Sequence, residues 1–141
     1  MRRLCALVVL IAMLILGSCG GDDSPTYVVD PELVGVWKAT SFIVSNCDDE
    51  ENNEANTNLV CTSFNCIQFT FEDDSDYLGM LIEEDFRTDT EGKWSAQNGQ
   101  LTIRVTNVNP LKGSYSIDND VLTYRYTLNG CDIELIMRKD P

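Results

Sequence analysis

Histidine is absent from the 141-residue sequence, and with it the side chain that ordinarily moves protons near neutral pH. The chain also lacks a C-x-x-C pair, a G-x-S-x-G elbow, an H-E-x-x-H helix and a glycine-rich phosphate loop, the patterns that announce zinc, acyl-transfer, metalloprotease or nucleotide chemistry. Paired acids occur at Glu83-Glu84, but neighbours on a strand point to opposite faces and cannot converge as a glycosidase dyad. No enzymatic activity, no cofactor and no metal are therefore expected. Positive charge is scarce, with ten Lys and Arg against 23 Asp and Glu. A chain of that balance repels phosphate backbones, which excludes nucleic acid as a partner. Long apolar runs are missing as well. The N-terminal run over residues 4–16 is shorter than the roughly 20 residues of a membrane-spanning helix.

That short run follows Arg2 and Arg3 and ends in small residues, the order of a secretory signal peptide. The tetrad Leu16-Gly17-Ser18-Cys19 resembles the lipobox of bacterial lipoproteins, which implies cleavage after residue 18 and lipidation of Cys19. The resemblance implies three acyl chains. One buried chain anchors only marginally, at about 0.8 kcal/mol per methylene, and several hold durably. Residues 1–18 are thus assigned to a signal peptide and 19–32 to the lipidated cysteine with a flexible tether, leaving 33–141 as the domain. The tether "GGDDSPTYVVDP" (20–31) reaches about 40 Å when extended. Acids soon after Cys19 resemble the surface-export signal of Bacteroidetes-type lipoproteins, although two glycines intervene. Outer-membrane anchoring with display at the cell surface is the expectation, and a periplasm-facing anchor is the second choice. Loss of Arg2 and Arg3 leaves eight bases against 23 acids, a net −15. Part of that acidity lies in "CDDEENNEANTN" (47–58), read as a solvated loop in preference to a divalent-cation site.

Four cysteines remain for the domain: Cys47, Cys61, Cys66 and Cys131. An even number in an exported domain argues for two disulfides, with three connectivities open.

From residue 36 onward the apolar residues alternate. "CIQFTF" sets Ile67, Phe69 and Phe71 on one face, "LTIRV" sets Leu101, Ile103 and Val105, and "CDIELIM" sets Ile133, Leu135 and Met137. A period of two with one apolar face means half-buried antiparallel strands. Asn98-Gly99 and Asn129-Gly130 are tight hairpin turns, and the Asp-rich stretches 72–76 and 118–120 are turn chemistry too. Within the former, "DDSD" (73–76) lacks the glycine and later glutamate of a calcium loop and reads as a turn. Eight strands result, at 36–45, 66–72, 77–84, 91–96, 101–107, 113–117, 121–127 and 132–138, with one long connection over 46–65. The fold class is all-β, and closure into an up-and-down barrel removes the unpaired edges. In such a meander all four cysteines fall at one rim. Cys131 is expected to staple the last hairpin to the long connection, its partner left open.

At "LVGVWKATS" (33–41) the chain resembles lipocalins through Gly35-x-Trp37, and "FTFEDD", "GKWSAQNGQLTI", "YSIDNDVLTY" and "MRKD" are similar to bacterial lipocalin-like domains borne on lipoproteins. The resemblance spans roughly 33–139 and implies a barrel open at one end. It implies that Trp37 plugs the base and that Arg138 covers it, although Arg138 shares the outward parity of Glu134, so that stacking requires a bulge. Inward candidates are Phe69, Phe71, Leu78, Met80, Trp94, Leu101, Ile103, Tyr115, Ile117, Leu122, Tyr124 and Tyr126. An interior of this size is either filled by side chains or holds one small ligand, and filled or nearly filled is the expectation in so short a chain. Tyr124 and Tyr126 are the polar handles for a ligand. Two functions stand: a binder of a small apolar or amphipathic molecule, preferred through the resemblance, or a non-enzymatic module with a filled barrel that docks an envelope protein. A monomer is expected.

Overall fold

Strand-forming residues separated by residues that tolerate positive φ determine the architecture. The computed structural model describes residues 26–84 and 86–141; Cys19, the signal segment and the first part of the tether lie outside the described residues. Nine strands run in chain order: β1 (Gly35–Ser45), β2 (Glu54–Asn56), β3 (Asn65–Phe71), β4 (Asp76–Glu83), β5 (Phe86–Gln97), β6 (Gln100–Val105), β7 (Leu111–Asp118), β8 (Val121–Leu128) and β9 (Cys131–Lys139). Asn98-Gly99, Asn119-Asp120 and Asn129-Gly130 all adopt positive φ at both turn positions, the geometry whose twist matches tight hairpins. Every neighbouring pair from β3 to β9 is antiparallel, and β1 closes the ring by pairing with both β3 and β9. The expected eight-stranded closed meander is present, with β2 as an addition.

β2 arises where β1 and β3 part. Their pairing runs from Gly35↔Phe71 to Lys38↔Gln68. Higher up, β1 is paired instead with β2, from Phe42↔Asn56 to Val44↔Glu54. Between these two stretches Leu59 N donates to Thr40 O, so the long connection patches the wall. Thr40 is itself the extra residue of a bulge against β9, where the register jumps from Ala39↔Met137 to Ser41↔Ile136. The bulge swaps the parity of β1: Trp37 and Ala39 face inward below it, Phe42 and Val44 above it. The sequence gives 91–96 for the fifth strand, whereas β5 begins at Phe86. Its early half reads Phe-Arg-Thr-Asp-Thr and is mostly exposed, so no apolar alternation marks it.

The base of the barrel is solid. Trp37, Phe71, Trp94, Leu101, Ile103, Leu122 and Met137 are fully buried together with Leu33, each contributing about 1.5–3 kcal/mol by leaving water. Trp37 Nε1 donates to Leu33 O at 2.7 Å and Trp94 Nε1 to Glu72 O at 3.0 Å, so neither indole N–H is stranded. The lysine next to the expected arginine covers Trp37. Lys139 Nζ stands 5.2 Å from the ring centroid and donates to Glu32 O, while Arg138 is exposed on the outer face opposite Lys38. Register decides this: Lys139 lies opposite Trp37, and directly opposed residues share a face. The bulge that would have turned Arg138 inward lies higher, beyond Ala39.

The segment assigned to a tether is docked over its last part. Ala96 N donates to Val28 O, Val28 N to Ser95 Oγ, and Leu33 N to Asp30 O in a turn over 31–33. Val28 bonds to β5 through its backbone, Val29 packs against the core, and Leu33 is fully buried at the base. Gly and Asp residues before it carry no such apolar anchor, which is why composition alone merged the two stretches.

Candidate functional site: a cavity in the rim half of the barrel

Above the packed base the barrel is open. A cavity of about 460 Å³ is lined by Phe42 of β1, Ile67 and Phe69 of β3, Tyr77, Gly79 and Leu81 of β4, Thr88 and Thr90 of β5, Leu111 of β7, Tyr126 of β8 and Leu135 of β9. Its mouth is formed by Glu54 and Asn56 of β2, Leu59 of the connection, Asn65 and Glu83. The interior is thus packed at its base and open toward the rim, in place of the filled or nearly filled interior expected from the sequence.

Gly79 is a point of close approach in the wall. A Cβ there would collide with Thr90 Oγ1 and with the Tyr77 hydroxyl, so glycine lets those two polar groups meet across the inner wall. Thr90 Oγ1 also donates to Gly79 O at 3.4 Å. Tyr77 is 4 % exposed and Leu78 41 % exposed, which reverses the expected parity of β4: Phe71↔Tyr77, Phe69↔Gly79 and Ile67↔Leu81 are opposed pairs on the inner face. In "YLGMLI" (77–82) both parities are apolar, so periodicity held no information about which face turned in. The inward Tyr77 was missed for that reason.

Of the other inward candidates, Phe69, Met80 and Tyr126 line the cavity. Met80 does so from a register position opposite Gln68 and Asp89, on the outer row. Phe71, Trp94, Leu101, Ile103, Leu122 and Tyr124 belong to the buried core, below the space a ligand would occupy. Tyr115 is tied to the docked N-terminal segment by a 2.5 Å bond from its hydroxyl to Asp30 Oδ2, and Ile117 packs against the core. Tyr124 donates to Leu111 O at 3.2 Å, so its hydroxyl is satisfied internally. Among the described residues no group hydrogen-bonds the hydroxyl of Tyr126, a residue that lines the cavity. Burial pushes the phenols of Tyr77, Tyr124 and Tyr126 above their ordinary range, because the phenolate is poorly solvated there. All three are neutral donors at physiological pH.

Two disulfides frame the mouth. Cys47 pairs with Cys131 and Cys61 with Cys66. The first joins the last hairpin to the long connection, as expected, and the second closes a five-residue loop beside Leu59. Near that loop Val60, Phe64 and Phe86 are 71 %, 67 % and 79 % exposed, with Glu84 N donating to Phe64 O.

Elsewhere, a smaller depression of about 330 Å³ lies over Ser45, Arg125, Tyr126, Thr127 and Asp132 to Glu134. It straddles the Arg125–Glu134 ion pair, and Ser45, Thr127 and Asp132 add further polar side chains to its lining. The carboxylates of Glu72, Asp74 and Asp76 gather at the opposite end of the barrel, where Asp76 accepts from Lys93 and Asp74 Oδ1 from Asp76 N. The first is a cross-strand ion pair between β4 and β5, and the second is a bond of the β3–β4 turn.

No family model matches the chain, and no curated protein does. Solved structures do. A lipocalin-like protein from Bacteroides uniformis superposes with a TM-score of 0.52 at 12% identity, covering 77% of this chain and 99% of its own. An uncharacterized protein from Bacteroides eggerthii gives 0.50 at 12% identity over the same shares of the two chains. With a closed eight-stranded meander, a tryptophan-plugged base and these neighbours, the domain has the lipocalin-like fold seen in Bacteroides proteins.

Proposed function

We propose that this protein is a non-catalytic binder, held at the outer membrane through a lipidated Cys19, that takes a small apolar or amphipathic molecule into the rim half of its barrel. A fold by itself hosts many functions, so the reading rests on one observation: the 460 Å³ cavity with an apolar floor, lined also by Tyr126. Cavities of about 300–1,000 Å³ with few polar groups are the usual form of small-molecule sites. The lipobox-like tetrad at 16–19 supports the anchor, and the acids that follow it support outward display.

Native mass spectrometry of the mature protein, purified from its own membrane, tests this. A co-purifying small molecule, together with acyl mass on the N-terminal peptide, is the expected result. A bare polypeptide that instead carries a stoichiometric protein favours the second reading, an envelope interaction module docking through exposed Val60, Phe64 and Phe86.

A further inference from the structure

The cavity carries charge of one sign only. Glu54 and Glu83 stand at its mouth, and its other lining groups are apolar or neutral. None of the eight lysines and arginines of residues 26–141 lines it. Several are engaged elsewhere. Arg87 holds Asp89 and Arg125 holds Glu134 on the outer face. Lys38 holds Asp140, Lys93 holds Asp76, and Lys139 lies over Trp37, all at the closed end. An anionic headgroup at this mouth would meet two carboxylates and no counter-charge. A cationic one would meet two partners while its tail reaches the floor formed by Phe42, Ile67, Phe69, Leu81, Leu111 and Leu135.

Building on the binder reading above, we infer that the site selects amphiphiles with a cationic head, the amine class, over carboxylates of the same chain length. The Asn56 and Asn65 side chains at the same rim add neutral acceptors for an ammonium. A net −15 for the mature chain attracts any cation, so the test has to separate the mouth from the surface at large.

The probes are dodecylamine, dodecanol and dodecanoate, titrated calorimetrically at pH 7 below their aggregation limits against the intact mature protein. The variants are Glu54→Gln/Glu83→Gln and Leu81→Trp. The expected order is amine, then alcohol, then acid, with about tenfold between amine and alcohol at low salt, the scale set by two exposed carboxylates acting through a partly aqueous dielectric. That margin shrinks from about 10 mM to about 1 M salt, as the screening length falls from about 30 Å to about 3 Å. In Glu54→Gln/Glu83→Gln the amine preference collapses while dodecanol binding holds, although this variant removes only two charges.

Equal binding of all three probes, or tighter binding of dodecanoate, overturns the inference and leaves the cavity reading standing. An amine preference that survives the double substitution also overturns it, because the bulk surface is then responsible. Failure of every probe, with wild-type and Leu81→Trp alike, removes the cavity reading and this inference together.

Discussion

Replacing each disulfide separately by a pair of serines gives unequal losses that follow from chain topology. In the chain-entropy account, a cross-link stabilises by restricting the unfolded chain, more for longer loops. Cys47–Cys131 closes a span of 84 residues and Cys61–Cys66 one of 5 residues. That account gives about 4.5 kcal/mol for the first and about 2 kcal/mol for the second. A domain of this size has about 5–15 kcal/mol in total, so Cys47→Ser/Cys131→Ser is left marginal. At about 4 °C per kcal/mol, melting falls by about 18 °C in that variant and by about 8 °C in Cys61→Ser/Cys66→Ser. Urea unfolding followed by tryptophan fluorescence reads both, since Trp37 and Trp94 are fully buried. Losses that are equal, or larger for the short loop, would refute the assignment of the long-range bridge. Affinity should order the other way: the short bridge holds the segment that carries Leu59 against the cavity, so its removal weakens an apolar probe more than its stability cost implies.

Leu81→Trp puts bulk into the cavity from a residue 42 % exposed; stability should stay within about 0.5 kcal/mol while affinity for a fluorescent apolar probe drops at least about tenfold. Lys139→Ala should cost about 0.5–2 kcal/mol through the lost cation–π contact over Trp37, whereas Arg138→Ala should be nearly silent in the same urea titration. Alkaline titration followed at 295 nm should show delayed ionisation of Tyr77, Tyr124 and Tyr126, whose phenols burial raises above 10.0. The unfolded chain loses these protons first, so the stability they contribute is whole below pH 10 and declines as pH rises further; unfolding that instead sets in on acidification alone would contradict the assignment of those phenols to the interior.

Where one parity was apolar and the other polar, the sequence revealed both strand and face. β3, β6, β8 and β9 are the examples, and their inward rows face the core or the cavity as the alternation implies. Turns at Asn98-Gly99 and Asn129-Gly130 were legible because few residues other than Asn and Gly accept positive φ. β4 was not legible in face, because Tyr77 to Ile82 are apolar on both sides apart from Gly79. Only its ladder with β3 decides, and a ladder is a long-range fact. β2 and the 3-10 turn at Glu50–Asn52, capped by Asp49, hide in an acidic stretch whose composition reads as loop. The cavity wall includes Gly79, whose missing side chain gives no hydrophobic signal and admits the Tyr77 hydroxyl and Thr90 Oγ1, and Phe42, turned inward by the bulge at Thr40, which no local motif announces. Register likewise put Lys139, one residue beyond Arg138, on the tryptophan.

The claim that most needs testing is that the barrel is solid at its base and open at its rim. Methyl NMR of the isotope-labelled mature protein, titrated with neutral dodecanol, measures it directly. Shifts confined to Ile67, Leu81, Leu111 and Leu135, with Leu33, Leu101 and Leu122 unmoved, are the predicted result. Shifts spread through the base, or none at the rim at saturating dodecanol, would contradict it.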